Sequence, residues 1–270
     1  MINYKVLGIN SKCATDGMSY EERCRLFREA GFGSLLLWGG EEEMSLEKRV
    51  DAAEKACLYI ESIHAPYVGN TYIWMDDVKG EAYLQRQIEL ARLVKTLGVK
   101  TLVIHPEGNE GIPTVNENGR ARYKRLFDEI ERLGINLAIE NIHKADTLKS
   151  LLLEEDLPHV GFCFDSGHYN IWSDDCDMLA LFGNKLKAIH LHDNDGKTDT
   201  HDPLFEGCVN FEALAKRLVK TSYSGTLTLE TKFHGKTHKE LEERIEKAYA
   251  SGKRFARLLE DEYDKLNALR

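Results

Sequence analysis

The sequence predicts an α/β fold, a single (β/α)8 TIM barrel, and three observations predict it. Eight short apolar runs recur along the chain, stretches with helical spacing separate them, and most runs end on a residue able to bind a metal or move a proton. The ends are Asn10, Trp38, His64, His105, Glu140, Asp165, His190 and Glu230. Barrels of this class build their active sites at the C-terminal strand ends. The length of 270 residues suits one such domain, spanning 1–270, better than two ordinary domains.

The first strand is expected over Val6 to Ile9, and Ser19-Tyr20-Glu21-Glu22 opens the first helix with a capping box. Ser34 to Trp38 is the second strand, followed by a helix near Ser45 to Ala56. Tyr59 to His64 is the third, ended by Ala65-Pro66-Tyr67, where proline stops regular structure. A loop through Trp74 leads to a helix near Gly80 to Leu97, closed by Gly98. Thr101 to His105 is the fourth strand, stopped by Pro106, and a helix near Val115 to Leu133 ends at Gly134.

Ile135 to Glu140 is the fifth strand, with a helix near Ala145 to Leu153. Val160 to Asp165 is the sixth, with a helix near Asp174 to Phe182, and Leu186 to His192 the seventh. A polar loop from Asp193 to about Val209 precedes a helix to about Lys220, and Thr226 to Glu230 is the eighth strand. The stretch from Thr237 to Leu269 reads as helical, broken near Gly252. Continuous apolar strands alternating with helices favour a buried parallel sheet. A doubly wound open sheet fits less well, because no glycine-rich phosphate turn follows the first strand.

The composition is that of a globular protein, 42% hydrophobic and 30% charged. A net charge of -9 argues against duplex DNA, whose binders need cationic contacts to phosphate, and for a small-molecule substrate. Six scattered cysteines without a Cys-X-X-Cys pair read as reduced thiols of a cytoplasmic protein. Met1 to Val6 does not read as a signal peptide, and no run approaches a membrane span.

Glu140, Asp165, His190 and Glu230 carry the chemistry, on four consecutive strand ends. Singly, a carboxylate there reads as a helix cap or surface ion pair. Together, three carboxylates in one cup repel one another, and a divalent cation removes that conflict. An imidazole among oxygen ligands suits Zn or Mn, with Co or Mg as alternatives. His64, His105, His168, Asp199 and His201 form a second group, either hydrogen-bonded rim residues or additional ligands and substrate contacts. His192 joins His64 and His168 as a candidate substrate contact. Trp38, Tyr67, Trp74 and Trp172 follow strand ends and either line a sugar pocket or pack.

His64-Ala65-Pro66-Tyr67, Ile139-Glu140-Asn141, Phe164-Asp165-Ser166-Gly167-His168, His190-Leu191-His192-Asp193-Asn194-Asp195-Gly196 and Leu229-Glu230 resemble the xylose isomerase-like barrel superfamily. The resemblance spans nearly the whole chain. Its sugar and sugar-phosphate isomerases and epimerases imply one divalent metal on Glu140, Asp165, His190 and Glu230. Glu140 and Glu230 would then stand on opposite faces of the sugar carbon, one removing the proton next to the carbonyl and the other returning one. Its endonuclease IV branch implies up to three zinc ions: one on His64, His105 and Glu140, a second on Glu140, Asp165, His190 and Glu230, a third on His168, Asp199 and His201. Against that branch, the first strand reads Leu7-Gly8-Ile9-Asn10-Ser11 where Gly-Ser-His is expected, and the basic cluster Arg120, Arg122, Lys124 and Arg125 falls on an outer helix.

The leading expectation is therefore a metal-dependent sugar or sugar-phosphate isomerase or epimerase. The alternative is a trinuclear zinc phosphodiesterase acting on abasic DNA, and a third reading is a non-catalytic sugar or cyclitol binder. A homo-oligomer formed through the C-terminal helical region is compatible with each.

Overall fold

The computed structural model describes residues 6–13, 17–75, 77–108, 115–143, 145–172, 176–233 and 237–268. The N-terminal segment read for a targeting signal, Val6 apart, thus lies outside the described residues. Eight strands close a parallel barrel in sequence order: β1 (Leu7–Asn10), β2 (Ser34–Trp38), β3 (Tyr59–His64), β4 (Thr101–Ile104), β5 (Asn136–Glu140), β6 (Val160–Asp165), β7 (Leu186–Leu191) and β8 (Leu227–Leu229). Closure is direct, with Ile9 of β1 in register with Leu229 of β8.

Around the barrel run α1 (Tyr20–Ala30), α2 (Leu46–Lys55), α3 (Val78–Thr96), α4 (Glu117–Leu133), α5 (Ala145–Leu152), α6 (Ser166–Trp172), α7 (Met178–Phe182), α8 (Phe211–Leu218) and α9 (His238–Ala268). Polar caps set the helix starts: Ser19, Ser45, Asp77 and Asn116 each accept from a backbone N–H in the first turn. Gly31 and Gly134 end α1 and α4 at φ of 110° and 63°, which glycine adopts without steric cost. Among the described residues no helix is long and apolar enough to cross a membrane.

Two segments depart from the sequence expectation. The helix expected near Asp174 to Phe182 is met by α7, Met178–Phe182 in the described residues, but a further helix, α6, begins at Ser166, directly off β6. The Asp165 carboxylate accepts from the His168 N–H at 2.7 Å, so the strand's last side chain caps the helix that follows. The expected start, Asp174, lies outside the described residues. The terminal helix α9 runs through Gly252 without a break. A Cβ there would meet a Leu7 methyl at 2.9 Å, so glycine permits close packing of the helix on β1.

Alternation along the strands divides the molecule. Outward residues such as Leu7, Ile9, Leu35, Leu37, Leu137, Ile139, Phe162 and Phe164 join the main core between sheet and helices. Inward residues form two storeys at the C-terminal half. The lower storey is small, with Val103, Ala138, Cys163 and Ala188 clustered together. Two positions further along each of these strands come His105, Glu140, Asp165 and His190. The period of two therefore aims the strand-end groups into the barrel mouth, and small residues beneath leave room for them.

Candidate metal centre

Glu140, Asp165 and His190 are fully buried at the mouth, and Glu230 is nearly so. The His190 Nδ1 atom lies 3.3 Å from Glu140 Oε2 and 3.1 Å from Glu230 Oε2. Donor atoms of Glu140, Asp165, His190 and Glu230 fall within 4.8 Å of one another. Two further groups adjoin this one at the same spacing: His64, His105 and Glu140 on one side, and His168, His192, Asp199 and His201 on the other. The structure thus brings together every carboxylate and imidazole singled out at the strand ends and the following loops. It also adds Cys163, a buried thiol grouped with Glu140 and His190.

The loops hold the ring nitrogens in a consistent sense. His64 Nδ1 lies 2.8 Å from the Ala65 carbonyl, His168 Nδ1 3.0 Å from that of Asn141, and His201 Nδ1 2.7 Å from that of Glu230. A carbonyl only accepts, so each Nδ1 donates to it, and the ring is held with Nε2 turned inward. His64 Nε2 faces His105 Nε2 at 3.1 Å and Glu140 Oε2 at 3.2 Å. His201 Nε2 faces Asp199 Oδ2 at 3.1 Å, from a residue held at φ of 53°. Outer-shell carbonyls fix metal-binding imidazoles in this way.

The carboxylates are clamped from behind as well. Asn141 donates through Nδ2 to the Asp165 carbonyl and accepts from the Asp165 N–H, tying the ends of β5 and β6. The Ser166 hydroxyl donates to the His192 carbonyl at 2.7 Å and lies 3.0 Å from the His192 N–H. Glu107, buried beside the mouth, accepts from the Thr147 hydroxyl and the His143 N–H. Sequence reasoning passed over Asn141, Ser166, Glu107 and Cys163. Adjacency was the available signal for Asn141 and Ser166, which directly follow Glu140 and Asp165. Nothing in the sequence marked Cys163.

Burial alone would raise the Glu140 carboxyl, but the facing His190 and His105 imidazoles hold it well below the usual carboxylate range. Glu230 is likewise lowered by His190, and Asp199 by His168 and His201, each against its own burial. His190 and His168 are raised despite burial by the charges around them, whereas burial pulls His105 down to about 4. Imidazoles around Glu140, Glu230 and Asp199 thus favour their charged forms. The cup's donor set also fits a metal on independent grounds. Glu140 Oε1, Asp165 Oδ2, both His190 nitrogens, His192 Nε2 and Asp199 Oδ1 are buried without hydrogen-bond partners. Buried polar atoms are seldom left so, and cation coordination would satisfy them.

A cavity of about 290 Å³ opens over the cup, lined among others by Trp38, Tyr67, His105, His168 and Trp172. Trp38 stacks on His64 with ring centroids 5.7 Å apart. Two expected substrate contacts lie elsewhere. Trp74 is buried against Tyr123 and donates its indole N–H to the Pro106 carbonyl, so it supports the loop from below. His192 sits under the cavity floor, with Nε2 3.0 Å from Asp165 Oδ1 and its ring stacked on His201 at 4.0 Å.

A family model described as xylose isomerase-like TIM barrel matches residues 24–257. The chain spans about half the length, 52% in each case, of two uncharacterized curated relatives, from Sinorhizobium fredii and Methanocaldococcus jannaschii. It is 24% identical over 256 residues to the putative L-ribulose-5-phosphate 3-epimerase SgbU of Escherichia coli, covering 83% of this chain and 87% of that one. A solved D-tagatose 3-epimerase-like protein superimposes with a TM-score of 0.75 at 17% identity, over 97% of this chain and 99% of its own. A solved structure of IOLI protein with a binding zinc atom gives 0.73 at 17% identity, over 95% and 98%. The chain belongs to the xylose isomerase-like TIM barrel family.

Proposed function

We propose that this xylose isomerase-like barrel is a divalent-metal-dependent sugar or sugar-phosphate isomerase or epimerase, working by proton transfer next to a carbonyl. The observation that carries the reading is the convergence of Glu140 and Glu230 on one His190 nitrogen, at 3.3 and 3.1 Å, beneath a cavity of sugar size. Glu140, Asp165, His190 and Glu230 would hold the ion, zinc or manganese by donor chemistry. When bound, the ion supplies Lewis acidity that stabilises negative charge on a substrate oxygen.

The chain's own groups supply the rest. The Glu140 and Glu230 carboxylates would form the proton-transfer pair, one taking the proton beside the carbonyl while the other returns one. Asn141 and the backbone of Asp165 fix the carboxylate geometry. His64 and His168 present ring edges to substrate hydroxyls, and Trp38, Tyr67 and Trp172 cover the sugar face and exclude water. The free cysteines support a reducing cytoplasm as the place of action. The test is deuterium uptake. Metal-loaded protein incubated with a ketose panel in heavy water should exchange the proton next to a carbonyl. A folded, metal-loaded protein that exchanges none of the panel defeats the reading.

One observation favours a second reading. The three adjoining donor groups, with Glu140 common to two of them, match a trinuclear phosphodiesterase acting on abasic DNA. Zinc near three ions per chain together with cleavage of an abasic duplex at low salt would establish it. The net charge of -9 weighs against it. A non-catalytic sugar binder would show ligand-dependent thermal stabilisation that survives Glu140→Gln, without turnover.

A further inference from the structure

The mouth carries two charges that the proposed proton transfer does not use. Among the described residues lining the cavity, Lys12 and Lys232 are the only lysine or arginine side chains. They are neighbours. Ile9 pairs with Leu229 in the barrel, and further up the Phe233 N–H donates to the Cys13 carbonyl at 2.7 Å. The same offset between the chains holds at both places, which sets Lys12 and Lys232 on neighbouring segments of the cavity rim.

Each is tied at its base. The Lys12 N–H donates to Asn10 Oδ1 at 2.9 Å, and its ammonium lies 5.2 Å from the Trp38 ring centroid. The Lys232 N–H donates to the His201 carbonyl at 3.0 Å. Among the described residues neither ammonium has a carboxylate within 4 Å, although carboxylates fill the cup below. Two ammonium groups at one rim favour an anion there.

We propose that Lys12 and Lys232 form the phosphate subsite of this cavity, so that the substrate is a sugar phosphate entering with its carbonyl end toward Glu140 and Glu230. The proposal rests on the sugar reading above and narrows it to phosphorylated substrates. Two ammonium groups without a carboxylate partner among the described residues match a phosphomonoester, which carries close to two negative charges near neutral pH, better than a carboxylate or phosphodiester with one. Lysine suits phosphate as a mobile point charge. Lys12 and Lys232 are exposed whereas Glu140 is buried, so a phosphate held by the lysines leaves the carbonyl end toward the cup.

The experiment titrates metal-loaded full-length protein with inorganic phosphate, read by phosphorus-31 NMR, in the wild type, in Lys12→Gln/Lys232→Gln and in Lys12→Arg/Lys232→Arg, each checked for an unchanged melting profile. The expected result is a Kd raised about tenfold or more in the glutamine pair and largely retained in the arginine pair. Equal binding in the glutamine pair would place the phosphate on the metal alone and overturn the proposal, as would an absence of binding in the wild type. Dimethyl phosphate binding as tightly as inorganic phosphate would overturn the choice of a monoester. In the deuterium assay, the glutamine pair should lose at least about tenfold more on a ketopentose 5-phosphate than on the free ketopentose. Equal losses count against the subsite. Absence of exchange on both sugars defeats the isomerase reading and leaves the phosphate titration to decide this one.

Discussion

The two ends of the barrel treat buried charge in opposite ways. At the mouth, Glu140, Glu230 and Asp199 are held below the carboxylate range because six imidazoles surround the four acids. At the floor, Glu61 accepts from the hydroxyls of Ser62 and Thr228, and burial raises it although those bonds and the His190 charge pull the other way. Both ends have cavities, and the floor one, about 990 Å³, is the larger. Size therefore does not distinguish the ends, whereas the company each carboxylate keeps does. A buried acid ringed by cationic neighbours is poised to hold an ion, and one with little such company is a cost to the fold.

The largest test of this contrast is Glu140→Gln. It keeps the shape but removes the charge common to two donor groups. Deuterium exchange should fall about 10²- to 10⁴-fold and bound metal should drop, read by exchange rate and elemental analysis on one sample. Unchanged exchange would move the chemistry away from this carboxylate. Next comes metal removal. If the mouth holds ions at a thousandfold excess over Kd, chelation should cost about 4 kcal/mol of stability, seen as a lower melting midpoint restored by zinc or manganese.

A smaller effect is expected from Gly167→Ala. Its Cβ would fall 1.9 Å from His192 Cε1, so the ring must leave Asp165. A loss of about 1–3 kcal/mol is expected, together with weaker metal retention. A substitution that melts like wild type and holds its full metal complement would show that the turn at Ser166 tolerates a side chain. The smallest effect belongs to the floor. The folded-state value of Glu61 is raised, so the unfolded chain ionises first as pH rises, and the acid's stabilising contribution falls through that window. Glu61→Gln should therefore melt higher than wild type at neutral pH, by about 1 kcal/mol, the ordinary scale of a point substitution, and the gain should vanish below the unfolded carboxyl value. A variant less stable at neutral pH would mean that the ionised form is favoured at the floor after all.

Much of this was legible in the residue order. Strand ends could be located because alternation fixes which side chain faces inward, and Glu140, Asp165 and His190 each follow two positions after a small residue. The short helix directly after β6 went unread, because its start is set by a contact within the Asp165 turn that no propensity reports. Trp74 and His192 were assigned to substrate because they follow strands, but depth depends on how the loops fold back. The pairing of Lys12 with Lys232, more than two hundred residues apart, exists only once β1 meets β8 and the barrel closes.

The storey of Val103, Ala138, Cys163 and Ala188 has a consequence for how such a barrel changes. The leucines and isoleucines that anchor each strand point the other way, so the chamber's occupants can be exchanged while the scaffold stays assembled. A lineage built on this plan can try new reactions one inward-facing position at a time, without first learning to fold again.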